Sequence, residues 1–139
     1  MKSKEVNNDV YSTIILCAMS YLVGIIGWNS GVNGFGVLMV LTALWALNKS
    51  RLSVFFAIFS YYLGACDQLF YGANFYFDHD RVFNFIYWIL HQMVLASGWA
   101  IFWKKDMSKF WNIFIRLSLT YLLTIFVPPY SLLGIAHPV

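Results

Sequence analysis

The 139-residue chain is 60% hydrophobic and 20% aromatic, only 11% of it is charged, and its mean hydropathy is +0.66. Soluble domains average about 25% charged residues, and a water-exposed fold this apolar would carry large hydrophobic patches, which excludes an ordinary soluble enzyme domain. The net charge of +3 comes from short basic clusters between apolar runs rather than from one face or groove, which argues against a nucleic-acid partner.

The first apolar run, 10–28, follows a polar start with Lys2, Lys4, Glu5 and Asp9. Ala18-Met19-Ser20 offers a signal-peptide cleavage pattern. The run continues past it to Trp28 and the start carries acids, so a retained helix is expected. A turn rich in Gly and Asn spans 29–36; it follows no strand and completes no GxGxxG, so it does not read as a phosphate loop. A second run, 36–47, is the shortest and suits a thinned stretch of bilayer; it stops at Asn48-Lys49-Ser50-Arg51. The third, 52–72, holds Asp67 near its end and breaks at Gly72-Ala73-Asn74. Asp78, His79 and Asp80 follow on a loop, where consecutive residues do not converge on one ion without special geometry, so no metal is expected. The fourth run, 82–103, is interrupted by Asn84, His91 and Gln92 and stops at Lys104-Lys105-Asp106. The fifth, 110–127, contains Arg116 and ends at Pro128-Pro129, which cannot continue a helix.

At about 20 residues per crossing, these runs predict an all-α, polytopic membrane helical bundle of about five transmembrane helices, one domain over 1–139. Lys and Arg set the orientation. Lys2, Lys4, Lys49, Arg51, Lys104, Lys105 and Lys109 fall on one side, Arg81 alone on the other, and Arg116 within a span. The alternation puts the N-terminus inside and the C-terminus outside. Trp28, Trp45, Tyr71, Trp103 and Trp111 lie near span ends, where aromatic rings favour the headgroup layer. Ala57, Ser60 and Gly64, and likewise Ala96 and Ala100, recur at helical spacing and predict close helix–helix contacts. Cys17 and Cys66 sit inside apolar runs and read as small packing residues.

An ionisable group inside a span is costly and therefore a functional candidate. Arg116, six residues into its span, can snorkel back toward Lys104, Lys105 and Lys109. Asp67 and His91 lie on successive helices, about 6 Å apart in depth at 1.5 Å per residue, and form a candidate intramembrane polar pair. Such a pair serves either as a proton relay or polar substrate contact, or as a structural hydrogen bond, and the sequence favours the structural role. Ser20, Ser60 and Ser97 have no base at a plausible spacing, so no catalytic set can be assembled.

Three stretches carry a family resemblance. Leu44-Trp45-Ala46-Leu47 followed by Ser50-Arg51-Leu52 is one. Tyr61-Tyr62-Leu63-Gly64-Ala65-Cys66 followed by Gly72-Ala73-Asn74-Phe75-Tyr76 is the second. The third is Pro128-Pro129, Gly134 and Ala136-His137-Pro138. In order and rough spacing the chain resembles the membrane part of the TraB-type conjugal-transfer proteins of Ti-type plasmids. That family is similar to apolipoprotein N-acyltransferases, in which a nitrilase-like domain on the outer face works through a Glu-Lys-Cys set. The resemblance implies no catalytic residue here, since Cys17 and Cys66 lie in spans. At Asp67 the chain departs from the resembled pattern, which has a basic residue near that place.

The expected role is an inner-membrane module of conjugative transfer, multi-pass, non-catalytic by itself and without a cofactor. Its expected partners are the lipid bilayer and a nitrilase-like or conjugation-machinery protein. Two alternatives stand beside it. One is a split subunit of an acyltransferase-like enzyme. The other is a small transporter or channel component using Asp67 and His91; five helices are few for such a monomer, so it implies a homo-oligomer.

Overall fold

A computed structural model of the chain describes residues 2–29, 34–65, 81–105 and 110–126. Five helices and no strand are found among them: α1 Lys2–Asn29, α2 Gly34–Leu47, α3 Arg51–Ala65, α4 Arg81–Phe102 and α5 Phe110–Phe126. Each helix falls on one of the five apolar runs, of which the end of the third, 66–72, lies outside the described residues. α1 begins well before its apolar run, because helix geometry continues into the polar start. Asp67, Gly72, Asn74, Phe75, Asp78, His79, Asp80, Lys109, Pro128, Pro129, Gly134, His137 and Pro138 lie outside the described residues.

Local chemistry explains the α2–α3 junction. Ser50 is the N-cap of α3: its hydroxyl accepts from the Ser53 amide (3.1 Å) and its carbonyl accepts from Val54 N–H (3.0 Å). Asn48 closes α2 by donating from Nδ2 to the Leu44 carbonyl (2.7 Å), and its Oδ1 accepts from Ser53 Oγ. One polar corner thus satisfies the end of one helix and the start of the next.

Direction alternates along the chain. α1 and α2 are antiparallel, with Gly27 against Val37 at one end and Leu16 clustered with Leu44 nearer the other. α4 and α5 are antiparallel too, since Phe102 meets Arg116 while Trp99 meets Tyr121. α3 is central and packs against α1, α2 and α4, while α5 packs mainly against α4.

The α1–α3 pair is parallel and keeps one register. Asp9 meets Lys49 and Thr13 meets Ser53, each pair 40 residues apart, and Gly24 meets Gly64 at the same offset. Small residues line both helices at matching places, Thr13, Cys17, Ser20 and Gly24 against Ser53, Ala57, Ser60 and Gly64. Cys17 and Ser60 share a side-chain hydrogen bond. A Cβ on Gly24 would strike the Tyr61 carbonyl and stand 2.8 Å from Ala65 N; on Gly64 it would strike the Tyr21 carbonyl. Only glycine allows backbones to approach this closely. The predicted face of Ala57, Ser60 and Gly64 is therefore a real contact, and its partner is α1. Ala96 and Ala100 are buried in the main cluster with Val54, Ile58 and Trp99.

Polarity is distributed the wrong way round for water. Ser20, Asn84, Gln92 and Thr120 are completely buried. Large apolar side chains such as Ile14, Ile15, Val94, Phe114 and Ile115 face outward on α1, α4 and α5. Two helical stretches, Asp9–Gly27 and Arg81–Phe102, are long and apolar enough to cross a membrane; Arg51–Ala65 and Phe110–Leu123 are shorter apolar helices.

Candidate functional site

Two polar features stand out against this background, one inside the bundle and one at its end. The interior feature runs along α4. Asn84, His91 and Gln92 fall seven and eight residues apart, which puts them on one side of an α-helix, and all three are buried. His91 lies beside Tyr87, with ring centroids 5.9 Å apart. Its expected partner Asp67 is outside the described residues, so the pair proposed from the sequence has no described geometry.

Farther along the same helix, Trp99 organises a hydrogen-bonded aromatic knot. Trp45 Nε1 donates to the Trp99 carbonyl (3.2 Å), Trp99 Nε1 donates to Tyr62 Oη (3.1 Å), and Tyr121 Oη lies 3.2 Å from Thr42 Oγ1. Trp45 and Tyr121 both meet the Trp99 ring edge-on, at 6.5 and 5.2 Å between centroids, the geometry preferred by aromatic quadrupoles. The knot ties α2, α3, α4 and α5 together. Here the structure corrects the sequence expectation. Trp45 is 0% and Trp103 5% exposed, so both rings pack inside the bundle rather than on its outer surface. A buried carbonyl acceptor for its N–H draws Trp45 inward. Trp111 at the start of α5 is exposed.

The second feature is cationic. The start of α3, the end of α4 and the first turns of α5 converge. Arg51 Nε donates to the Trp103 carbonyl (3.3 Å), and Arg116 Nη1 donates to the Phe102 carbonyl (3.0 Å). Two arginines from different helices thus satisfy carbonyls at the C-terminal end of α4, where orphan acceptors and the negative end of the helix dipole coincide. Arg116 reaches this end from within α5, the direction in which a snorkelling side chain would extend. Lys104 and Lys105 are exposed immediately beyond α4. Lys49 Nζ pairs with Asp9 Oδ1 at 2.8 Å, with both groups largely in solvent.

Ser20 Oγ and Trp103 Nε1 are buried with no hydrogen-bond partner among the described residues. No group of three His, Cys, Asp or Glu side chains able to hold a metal occurs among them. Sequence reasoning missed the Trp99 knot and the two-arginine cap. The signal for the cap was present in Arg116 itself, but its acceptor is a backbone carbonyl on a different helix.

A helical chain with apolar outer walls, a buried polar strip and one cationic end belongs to the helical class by its fold. No family model and no solved structure matches it. It is similar to the conjugal transfer protein TraB of Agrobacterium fabrum, at 23% identity over 145 residues, which covers 99% of this chain and 34% of that relative. The chain therefore spans about a third of the length of the curated relative it matches.

Proposed function

We propose that the chain is a TraB-like integral module of a bacterial inner membrane that serves conjugative transfer and is non-catalytic by itself. The observation that carries this reading is the likeness to a conjugal transfer protein, which extends over nearly the whole chain. The inverted polarity supports the membrane setting, because lipid rewards outward apolar side chains and penalises outward polar ones. The alternating helix directions support five crossings, and among the described residues Lys49, Arg51, Lys104 and Lys105 lie toward one end. That end faces the cytoplasm in this reading, and the module holds a nitrilase-like or conjugation-machinery partner at the outer face. The resemblance to acyltransferase-like proteins supplies the nitrilase-like candidate.

The test is genetic. Deleting the reading frame in a conjugating donor should lower transfer frequency, and supplying the chain in trans should restore it. Unchanged transfer in the deletion strain contradicts the proposal. The transporter alternative depends on Asp67, and no described geometry favours it.

A further inference from the structure

The cationic end carries more charge than its own structure uses. Arg51 and Arg116 each spend one N–H on a carbonyl of the α4 terminus, out of five donors per guanidinium. Lys104 and Lys105 are exposed. Among the described residues no carboxylate pairs with any of these four; the ion pair at this end is Lys49 with Asp9. Four cations thus gather where three helices converge, without a facing carboxylate among the described residues.

The walls beside them are apolar. Leu52 follows Arg51 directly and is 66% exposed, and Ile101, one turn before the lysines, is 63% exposed. Trp111 stands exposed in the first turn of α5. A free anion would gain nothing from these side chains. An amphiphile with a negative head and hydrocarbon tails would use both surfaces at once, the head on the cations and the tails along Leu52, Ile101 and Trp111.

From this juxtaposition we infer that the converging ends of α3, α4 and α5 bind the phosphate headgroup of an anionic phospholipid, with Arg51, Lys104, Lys105 and Arg116 as its cationic contacts. The inference rests on the membrane reading above and deepens it by naming the lipid class that the module selects. Arg51 and Arg116 are fixed by their carbonyl bonds and present a preset charge pair. Lys104 and Lys105 lie on flexible stems and close over the head from the exposed side.

The test uses the full chain, purified in mild detergent and offered phosphatidylglycerol and phosphatidylcholine of identical acyl chains in equal amounts, with bound lipid counted by native mass spectrometry. Phosphatidylglycerol should be enriched at least about fivefold, the effect of roughly one surface cation. Lys104→Gln together with Lys105→Gln, both exposed, should cut that enrichment by about fivefold or more while the helical circular dichroism stays as in the parent. Raising salt should weaken the preference, since the lysines are screened. Equal retention of the two lipids overturns the inference, and so does an enrichment left undiminished by both lysine substitutions. Displacement of the lipid by millimolar inorganic phosphate at constant ionic strength would mark a free-anion site and also overturn it. The two levels fail differently: a chain that stays in solution without detergent contradicts the membrane reading, whereas one that needs detergent but holds both lipids alike contradicts only the lipid preference.

Discussion

Alanine at Gly24 or Gly64 forces the α1 and α3 backbones apart. A Cβ on Gly24 would stand 2.8 Å from Ala65 N and closer still to the Tyr61 carbonyl, while one on Gly64 would stand 3.2 Å from Ile25 N and closer to the Tyr21 carbonyl. These obstacles are main-chain atoms that cannot swing aside. Non-bonded carbon atoms pack at about 3.5–4.0 Å, so the helices must separate by roughly 0.7–1 Å. A gap of about 0.5–1 Å forfeits a quarter to a half of each dispersion contact it opens, here along the whole strip from Thr13 to Gly24. Overpacking of this kind costs about 1–3 kcal/mol. Alanine's better helix propensity returns up to about 1 kcal/mol, and Gly36 isolates that gain, because a Cβ there meets nothing within 4 Å. Unfolding of the purified chain in one detergent, followed by far-ultraviolet circular dichroism, should therefore rank Gly36→Ala at or above the parent and both interface variants below it. The difference between sites should be about 1–3 kcal/mol, and the double variant should lose less than the sum, because the first shift makes room for the second. Equal stability of Gly24→Ala, Gly64→Ala and Gly36→Ala would refute the reasoning.

Trp99→Phe removes the donor to Tyr62 Oη, and a double-mutant cycle with Tyr62→Phe should show a coupling of about 0.5–1.5 kcal/mol; additivity within about 0.3 kcal/mol would count against that bond. Arg116→Leu leaves the Phe102 carbonyl without its cationic donor and should cost about 1–2 kcal/mol, read in the same unfolding assay, with Arg116→Lys recovering part of it. Asp9→Asn should change stability by less than about 1 kcal/mol, because both members of the Asp9–Lys49 pair are largely in solvent; a loss above about 2 kcal/mol would mean that the pair is shielded from water.

Much of the helix plan could be read from the chain, because its punctuation is local. Asn48-Lys49-Ser50 ends one apolar run and starts another, and the structure uses Asn48 and Ser50 as caps at that place. The small-residue face of α3 was legible for the same reason, since Ala57, Ser60 and Gly64 repeat at helical spacing within one segment. Its partner was not, because the matching residues of α1 carry no mark of the register that pairs them 40 positions later. Trp45 shows the limit of position as a guide. It lies near a helix end, which suggests an interfacial ring, yet a carbonyl on α4 takes its N–H and the ring is buried. Asn84 and Gln92 read as interruptions of an apolar run, and the fold turns them toward the interior. The Asp67–His91 pairing stays a sequence-based proposal, since Asp67 lies outside the described residues.

Thiol accessibility at the two ends of α4 tests the transmembrane account most directly. Arg81 and Lys105 bracket this helix and both are exposed; its 22 residues span about 33 Å at 1.5 Å each, close to the thickness of a hydrocarbon core. In a chain with Cys17 and Cys66 replaced by alanine, an impermeant maleimide added to intact cells stripped of their outer barrier should label Arg81→Cys. It should reach Lys105→Cys only after the inner membrane is opened. Labelling of both positions from the same side, or release of the chain from membranes by an alkaline wash, would contradict it.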